Sequence, residues 1–243
     1  MQGKLLLTGL TTLLGIIAMG CVQTTDAPGA IAEESQVDDA TADQAIVASE
    51  SYFVVTRRDL RRCAYPLCGG YYVAQVNQNK TLCADGAEAG ECYVADLDVA
   101  VLGLAPEEEN ALTATTTVFR GVIVPRDDAE RIGDLEVSAA WSAPTTGSTA
   151  GTFYRVDDNG FRCIVGPCPS LSEEQLNTFQ SASIHEIDLS SAAGDELDRE
   201  LASEALYSGA GLLIDGVHEI RENAGPAGAA TVLRARQFFL PVQ

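Results

Sequence analysis

Six cysteines carry the chemistry that this sequence offers most plainly: Cys63, Cys68, Cys83, Cys92, Cys163 and Cys168. Thiols at short spacing can serve as a redox pair, a zinc site or a set of disulfides. A redox pair normally holds two residues between its cysteines, beside a helix N-terminus that lowers a thiol pKa. Here Cys63 and Cys68, like Cys163 and Cys168, enclose four residues that include Pro66 or Pro167. A zinc site wants closer pairs or histidines joining them, and the chain holds only His185 and His218. Disulfides are therefore the expected state, and with them an oxidising compartment. No metal or other cofactor is expected.

Which cysteines pair is narrowed by an internal repeat. A shift of one hundred residues brings Phe53 onto Phe153, Arg62 onto Arg162, Cys63 onto Cys163, Cys68 onto Cys168 and Asn77 onto Asn177. Further along the shift shrinks but the order holds, with Asp96 answering to Asp188, Gly121 to Gly216, Arg126 to Arg221, and Trp141 to the Phe238–Phe239 region. Cys83 and Cys92 have no counterpart and fall where the first copy is longer. The pairing that respects the duplication is Cys63–Cys68, Cys83–Cys92 and Cys163–Cys168. Each bond would clip a short loop, contributing roughly 2 kcal/mol in the chain-entropy model.

The elements that must position these loops read as mainly β, α+β at most: two tandem homologous small modules, residues 51–143 and 152–243. The seam at 144–151 is rich in Pro, Gly, Thr and Ser, as a linker is. Each module opens on apolar–polar alternation. In the second, Asn159–Gly160 predicts a tight hairpin turn between strands around Tyr154 and Phe161, because both residues tolerate positive φ. The acids of Asp157, Asp158 and Asn159 lack the alternate spacing of a calcium loop. Residues 70–76 read as strand. Residues 171–176 carry a capping-box spacing at Ser172 and Gln175, but the repeat favours strand there too. Short helices are expected after Pro106 and between Asp195 and Leu206. Paired strands then close each module, Val118–Val124 with Leu135–Trp141 and Leu212–Ile220 with Thr231–Leu240.

The remaining reactive side chains form no recognisable catalytic set. His185 and Glu186 begin like a zinc-protease helix but lack the second histidine, so both histidines read as structural residues within strands. Asp96 and Asp188, the repeat-matched acids, read as turn or cap residues. Net charge is −20, which disfavours nucleic acid as a partner. Arg57, Arg58, Arg61 and Arg62 cluster around Asp59 against that background. They read as an exposed strand whose arginines pair with acids elsewhere, with an anion-binding patch as the alternative.

The seventh cysteine, Cys21, follows a single charge at Lys4, an apolar run over Leu5–Ile17 and the small-residue stretch Ala18-Met19-Gly20. The run is short of the roughly 20 residues that span a bilayer and has the form of a secretory signal. Ala18-Met19-Gly20-Cys21 resembles the lipobox of bacterial lipoproteins, although Met19 stands where a smaller residue is usual. The resemblance implies cleavage after residue 20, diacylglycerol on the Cys21 thiol and acylation of its new amine. Val22 rather than aspartate then leans towards the outer membrane. Residues 21–50 hold seven carboxylates, no Lys or Arg and no aromatic residue, the composition of a disordered acidic tether.

The runs Arg61-Arg62-Cys63 to Gly70 and Arg162-Cys163 to Pro169, with Cys83–Gly86 and Glu91–Ala95, resemble an uncharacterised family of secreted and lipid-anchored bacterial proteins with duplicated modules. That likeness implies an envelope setting and brings no activity. Three functions are open: a non-enzymatic binding module displayed to an envelope protein, a protease inhibitor with Pro-bearing loops as bait, and a hydrolase using scattered carboxylates. Projecting loops would favour the second, a deep acidic pocket the third and a flat sheet face the first.

Overall fold

A computed structural model describes residues 49–114, 116–146 and 151–242. Cys21, the signal expected over residues 1–20 and nearly all of the acidic segment lie outside the described residues. Among the described residues the chain is mainly β, and no helix is long and apolar enough to cross a membrane.

The first copy contributes β1 (Ser51–Arg58), β2 (Tyr71–Gln75), the short hairpin β3 (Thr81–Leu82) and β4 (Glu88–Ala89), β5 (Cys92–Asp98), α1 (Pro106–Ala114), β6 (Thr117–Arg126) and β7 (Ala129–Ser142). The second contributes β8 (Thr152–Asp158), β9 (Leu171–Gln175), β10 (Ser181–Ile184), β11 (Glu186–Asp188), α2 (Glu196–Ala205), β12 (Leu212–Gly225) and β13 (Gly228–Pro241). Both helices begin as helices should. Pro106 opens α1 with Glu107, Glu108 and Glu109 against its positive end. Asp195 and Asp198 cap α2 reciprocally.

The copies share one connectivity. In the first, β1 pairs antiparallel with β2 and β6, β2 with β5 and β6 with β7, while β5 and β7 run parallel, closing a ring. In the second, β8 pairs with β9 and β12, β9 with β10 and β12 with β13, and β11 runs parallel to β13. A third strand interrupted at His185 thus replaces the single β5. Five strands in this order, with a helix between the third and fourth, make the Greek-key connectivity of an OB-fold barrel. The pattern recurs down to single residues. Gly121 and Gly216 both sit beside a bulge, and a Cβ there would lie 2.1 Å from the Glu136 carbonyl oxygen or 2.6 Å from that of Arg234.

Three apolar clusters follow. Phe53, Val73, Phe119 and Leu135 lie at the heart of the first barrel, and Tyr154, Ile214, Leu233 and Phe238 of the second. A third cluster lies between the barrels and joins Val76, Val118 and Trp141 to Phe153, Leu176, Leu213 and Phe239. Residues 240–241 pair with 141–142, so β7 and β13 overlap only at their ends and run away from each other.

The registers correct several expectations. Phe53 pairs with Gln75 while Tyr154 pairs with Gln175, so Phe53 answers to Tyr154 and not to Phe153. A bulge at Thr56 absorbs the extra residue. Leu97 and Ile187 sit opposite Leu135 and Leu233, which matches Asp188 with Asp98 rather than Asp96. Both acids end their strands and cap the turn that follows, accepting backbone N–H bonds from Ala100 and Ser190. Asn159–Gly160 makes no two-residue hairpin, because β8 pairs with β9 and Phe161 lies in the loop between them. Asn159 instead fastens the neck of that loop, its Nδ2 donating to the Pro169 carbonyl and its Oδ1 accepting from Phe161 N.

Candidate functional site

Two regions carry side chains whose position folding alone does not explain. The first is the pair of loops between the first and second strand of each barrel. Cys63–Cys68 and Cys163–Cys168 are disulfides within these loops, and Cys83–Cys92 ties the β3–β4 turn to the start of β5. Each loop leans on the hairpin joining the last two strands of its own barrel. Arg126 donates to the Tyr65 hydroxyl at 3.0 Å, and Ala227 N donates to the Gly166 carbonyl at 2.9 Å. At the first neck Arg61 lies on the buried Asp59 at 2.9 Å and holds its carboxyl below the usual range. At the second, Arg162 does the same for Asp158 at 2.8 Å. The loops thereby present large apolar side chains to solvent: Leu60, Tyr65 and Leu67 on one, Phe161, Ile164 and Val165 on the other. Leu60 is 83% exposed and Ile164 fully so.

The arginine cluster is partly self-neutralised. Arg57 bonds Glu91 and stacks over Tyr72, 3.3 Å from the ring centroid. Hydrogen bonds from Thr56 and Arg57 hold the Glu91 carboxyl low. Among the described residues no carboxylate pairs with Arg58 or Arg62, both exposed beside Leu60. The duplication makes the contrast sharp. By register Arg57, Tyr72 and Tyr93 answer to Asp157, Ser172 and Ser183. One face is therefore basic and aromatic in the first barrel, acidic and small in the second.

The second region, not singled out from sequence, lies at the wall of the second barrel, where buried Glu173 meets exposed His218. Glu173 is only 6% exposed, and its carboxylate meets His218 Nε2 at 2.8 Å. Tyr154 packs edge-on to the imidazole, ring centroids 5.0 Å apart, and burial pushes its phenol up. These side chains border a cavity of about 200 Å³ that Gln175, Gln180 and Ser181 also line. A groove of about 400 Å³, along Asp157, Glu174 and the fully exposed Phe179, shares Glu173 with it. The signal available in sequence was the polar content of residues 171–175. It became readable only once the register showed that Leu171 and Glu173 face the same core. His185 is structural, its Nδ1 accepting from Thr231 N at 3.0 Å. Among the described residues, no group of three or more His, Cys, Asp or Glu side chains is arranged to hold a metal.

Residues 52–243 match the family model described as Domain of unknown function (DUF6748), and the chain belongs to that family. No curated protein and no solved structure matches it.

Proposed function

We propose that this chain is an exported bacterial lipoprotein, anchored through Cys21, that acts as a non-enzymatic binding protein of the cell envelope. Its contact elements are the two disulfide-clipped loops, and its partner is another envelope protein. The observation that carries this reading is the set of six large apolar side chains standing in solvent on those loops. Large apolar side chains grouped in solvent mark interaction sites, and loops held by a disulfide lose little entropy on binding. The anchor rests on the lipobox at Ala18–Cys21, with Val22 favouring the outer membrane. The disulfides support an oxidising compartment.

The test uses cells grown on labelled palmitate. Label and membrane association are both expected, and both should vanish in Cys21→Ala. A Cys21→Ala chain that still sediments with membranes would remove the anchor from this account. A photo-crosslinking residue at position 65 or 164 should then capture one discrete protein, whereas a crosslinker on exposed Glu107 should not. Equal capture from all three positions overturns the role of the loops.

A second reading, protease inhibition, is favoured by the projecting Pro66 and Pro167 loops. It requires saturable inhibition of a secreted protease that Tyr65→Ala or Ile164→Ala abolishes.

A further inference from the structure

The two barrels are copies, so one serves as the internal reference for the other. At four matched positions the first barrel carries Phe53, Val73 and Cys92 within one apolar cluster and Ile123, which like Cys83 is partly buried against it. By register the second barrel carries Tyr154, Glu173, Ala182 and His218 at those places. A carboxylate and an imidazole have replaced valine and isoleucine, and alanine has replaced a half-cystine. The second copy has no counterpart of the β3–β4 hairpin, whose Leu82, Cys83 and Ala84 line a cavity of about 360 Å³ beside Phe53, Gln75 and Ile123 in the first barrel; the second barrel's cavity is bordered by Glu173 and His218 instead.

Burying a carboxylate costs free energy even when it is paired. The first barrel shows that this fold holds together with apolar side chains at these positions. The Glu173–His218 pair is therefore retained for something other than packing, and it borders an open cavity. We infer that this cavity is a binding site for the primary ammonium group of a small organic cation, with Glu173 as its counter-charge.

The chemistry selects the ligand. An anion would meet Glu173 in the cavity and Asp157 and Glu174 in the groove outside it, on a protein of net charge −20. A guanidinium needs a free carboxylate fork, and both Glu173 oxygens already lie 2.8 Å from His218 Nε2. An ammonium is a compact charge with three donors, which Glu173 and the side-chain carbonyls of Gln175 and Gln180 can share. The volume, about 200 Å³, is below the roughly 300–1,000 Å³ of drug-sized sites. It suits an amine head on a short stem, with the rest of the molecule lying along the groove beside Phe179.

Titration calorimetry on the intact chain tests this with putrescine, spermidine and glucosamine, against 1,4-butanediol and tetramethylammonium as controls. Saturable binding of at least one primary amine is expected, and of neither control. Binding by the linear amines or by glucosamine separates a polyamine from an amino-sugar source. Glu173→Gln should weaken binding at least tenfold. The double substitution Glu173→Val with His218→Ile, which copies the first barrel, should abolish binding while leaving the melting temperature unchanged or higher. Binding of a control at equal strength, amine binding that survives Glu173→Gln, or no amine binding at all overturns the inference. So does a double variant that melts well below the parent, because the pair would then be structural. The site is independent of the loops, and Tyr65→Ala and Ile164→Ala should leave amine binding intact.

Discussion

Asn77 and Asn177 cross-bond the two barrels by exchanging places, each reaching into the other copy. The Asn77 side chain accepts from Phe153 N at 2.9 Å and donates to the Phe153 and Leu176 carbonyls. Asn177 accepts from Tyr52 N at 2.8 Å and donates to the Tyr52 and Val76 carbonyls. Both sit in the left-handed region, at φ of 59° and 56°, which asparagine tolerates better than most residues. One repeat-matched residue type thus serves two purposes, ending a strand in its own barrel and fastening a strand edge in the other.

Losing either asparagine leaves backbone groups at the seam without partners, which costs about 1–3 kcal/mol per buried group. Asn77→Gly is the cleaner probe, because glycine keeps the positive φ and removes only the bonds. Chemical denaturation should show that loss for Asn77→Gly and for Asn177→Gly. A change within about 0.5 kcal/mol, ordinary for a surface site, would mean the bridging bonds contribute nothing.

Gly121 and Gly216 are matched because the last two strands of each barrel approach too closely for a side chain. A Cβ would fall on backbone carbonyls, which cannot swing aside as a flexible side chain can. Gly121→Ala and Gly216→Ala should each destabilise by about 1–3 kcal/mol or more, the usual cost of overpacking. Thermal unfolding measures it. An alanine tolerated at both positions would show that the strands can separate there without cost.

Asp59 gives a pH prediction with a definite sign. Arg61 holds its folded pKa below the ordinary aspartate value. The bond therefore contributes stability above the unfolded pKa of about 3.9, and that contribution is lost as pH falls through the lower, folded value. The melting-temperature gap between the parent and Asp59→Asn should be constant from pH 7 to about pH 5 and should shrink below about pH 4. A gap that widens on acidification would mean that the loop neck is held by something other than this ion pair.

What was legible in sequence followed from local signals. Cysteine spacing, apolar alternation and the duplication gave the mainly β class, both short helices and β9 as strand. What the sequence hid was register. The bulge at Thr56 displaced the alignment by one residue, so Phe53 was matched to Phe153, although Phe53 lines a barrel core and Phe153 the seam. The same slip separates Phe238 from Phe239. Phe238 belongs to the second barrel's own core, and Phe239 lies at the seam with Trp141. Successive strand residues face opposite sides, so a single-residue error reverses such an assignment. Glu173 was unreadable for the same reason, because an acid in a strand reads as exposed until its neighbours show which face is buried.

The seam decides how independent the modules are. Trp141 lies 5.8 Å from Tyr52, and Phe153 lies 5.8 Å from Phe239, so each copy brings an aromatic pair to the shared layer. Trp141 also donates across the boundary to the Gly211 carbonyl. Exposing one large apolar side chain forfeits about 1.5–3 kcal/mol, while a whole domain is stable by roughly 5–15 kcal/mol. Cutting the chain at the seam exposes several such side chains on each half. Fragments 51–145 and 150–243 should therefore both melt below the intact protein. Fragment 51–145 should be the more stable, since it keeps the Cys63–Cys68 and Cys83–Cys92 bonds while its partner keeps only Cys163–Cys168. Circular dichroism melts of both fragments and of the intact chain measure the ranking. If 150–243 melts at or above 51–145, the bridges do not set the order. Two halves that melt where the intact chain does would show that the Trp141–Phe239 layer holds nothing together.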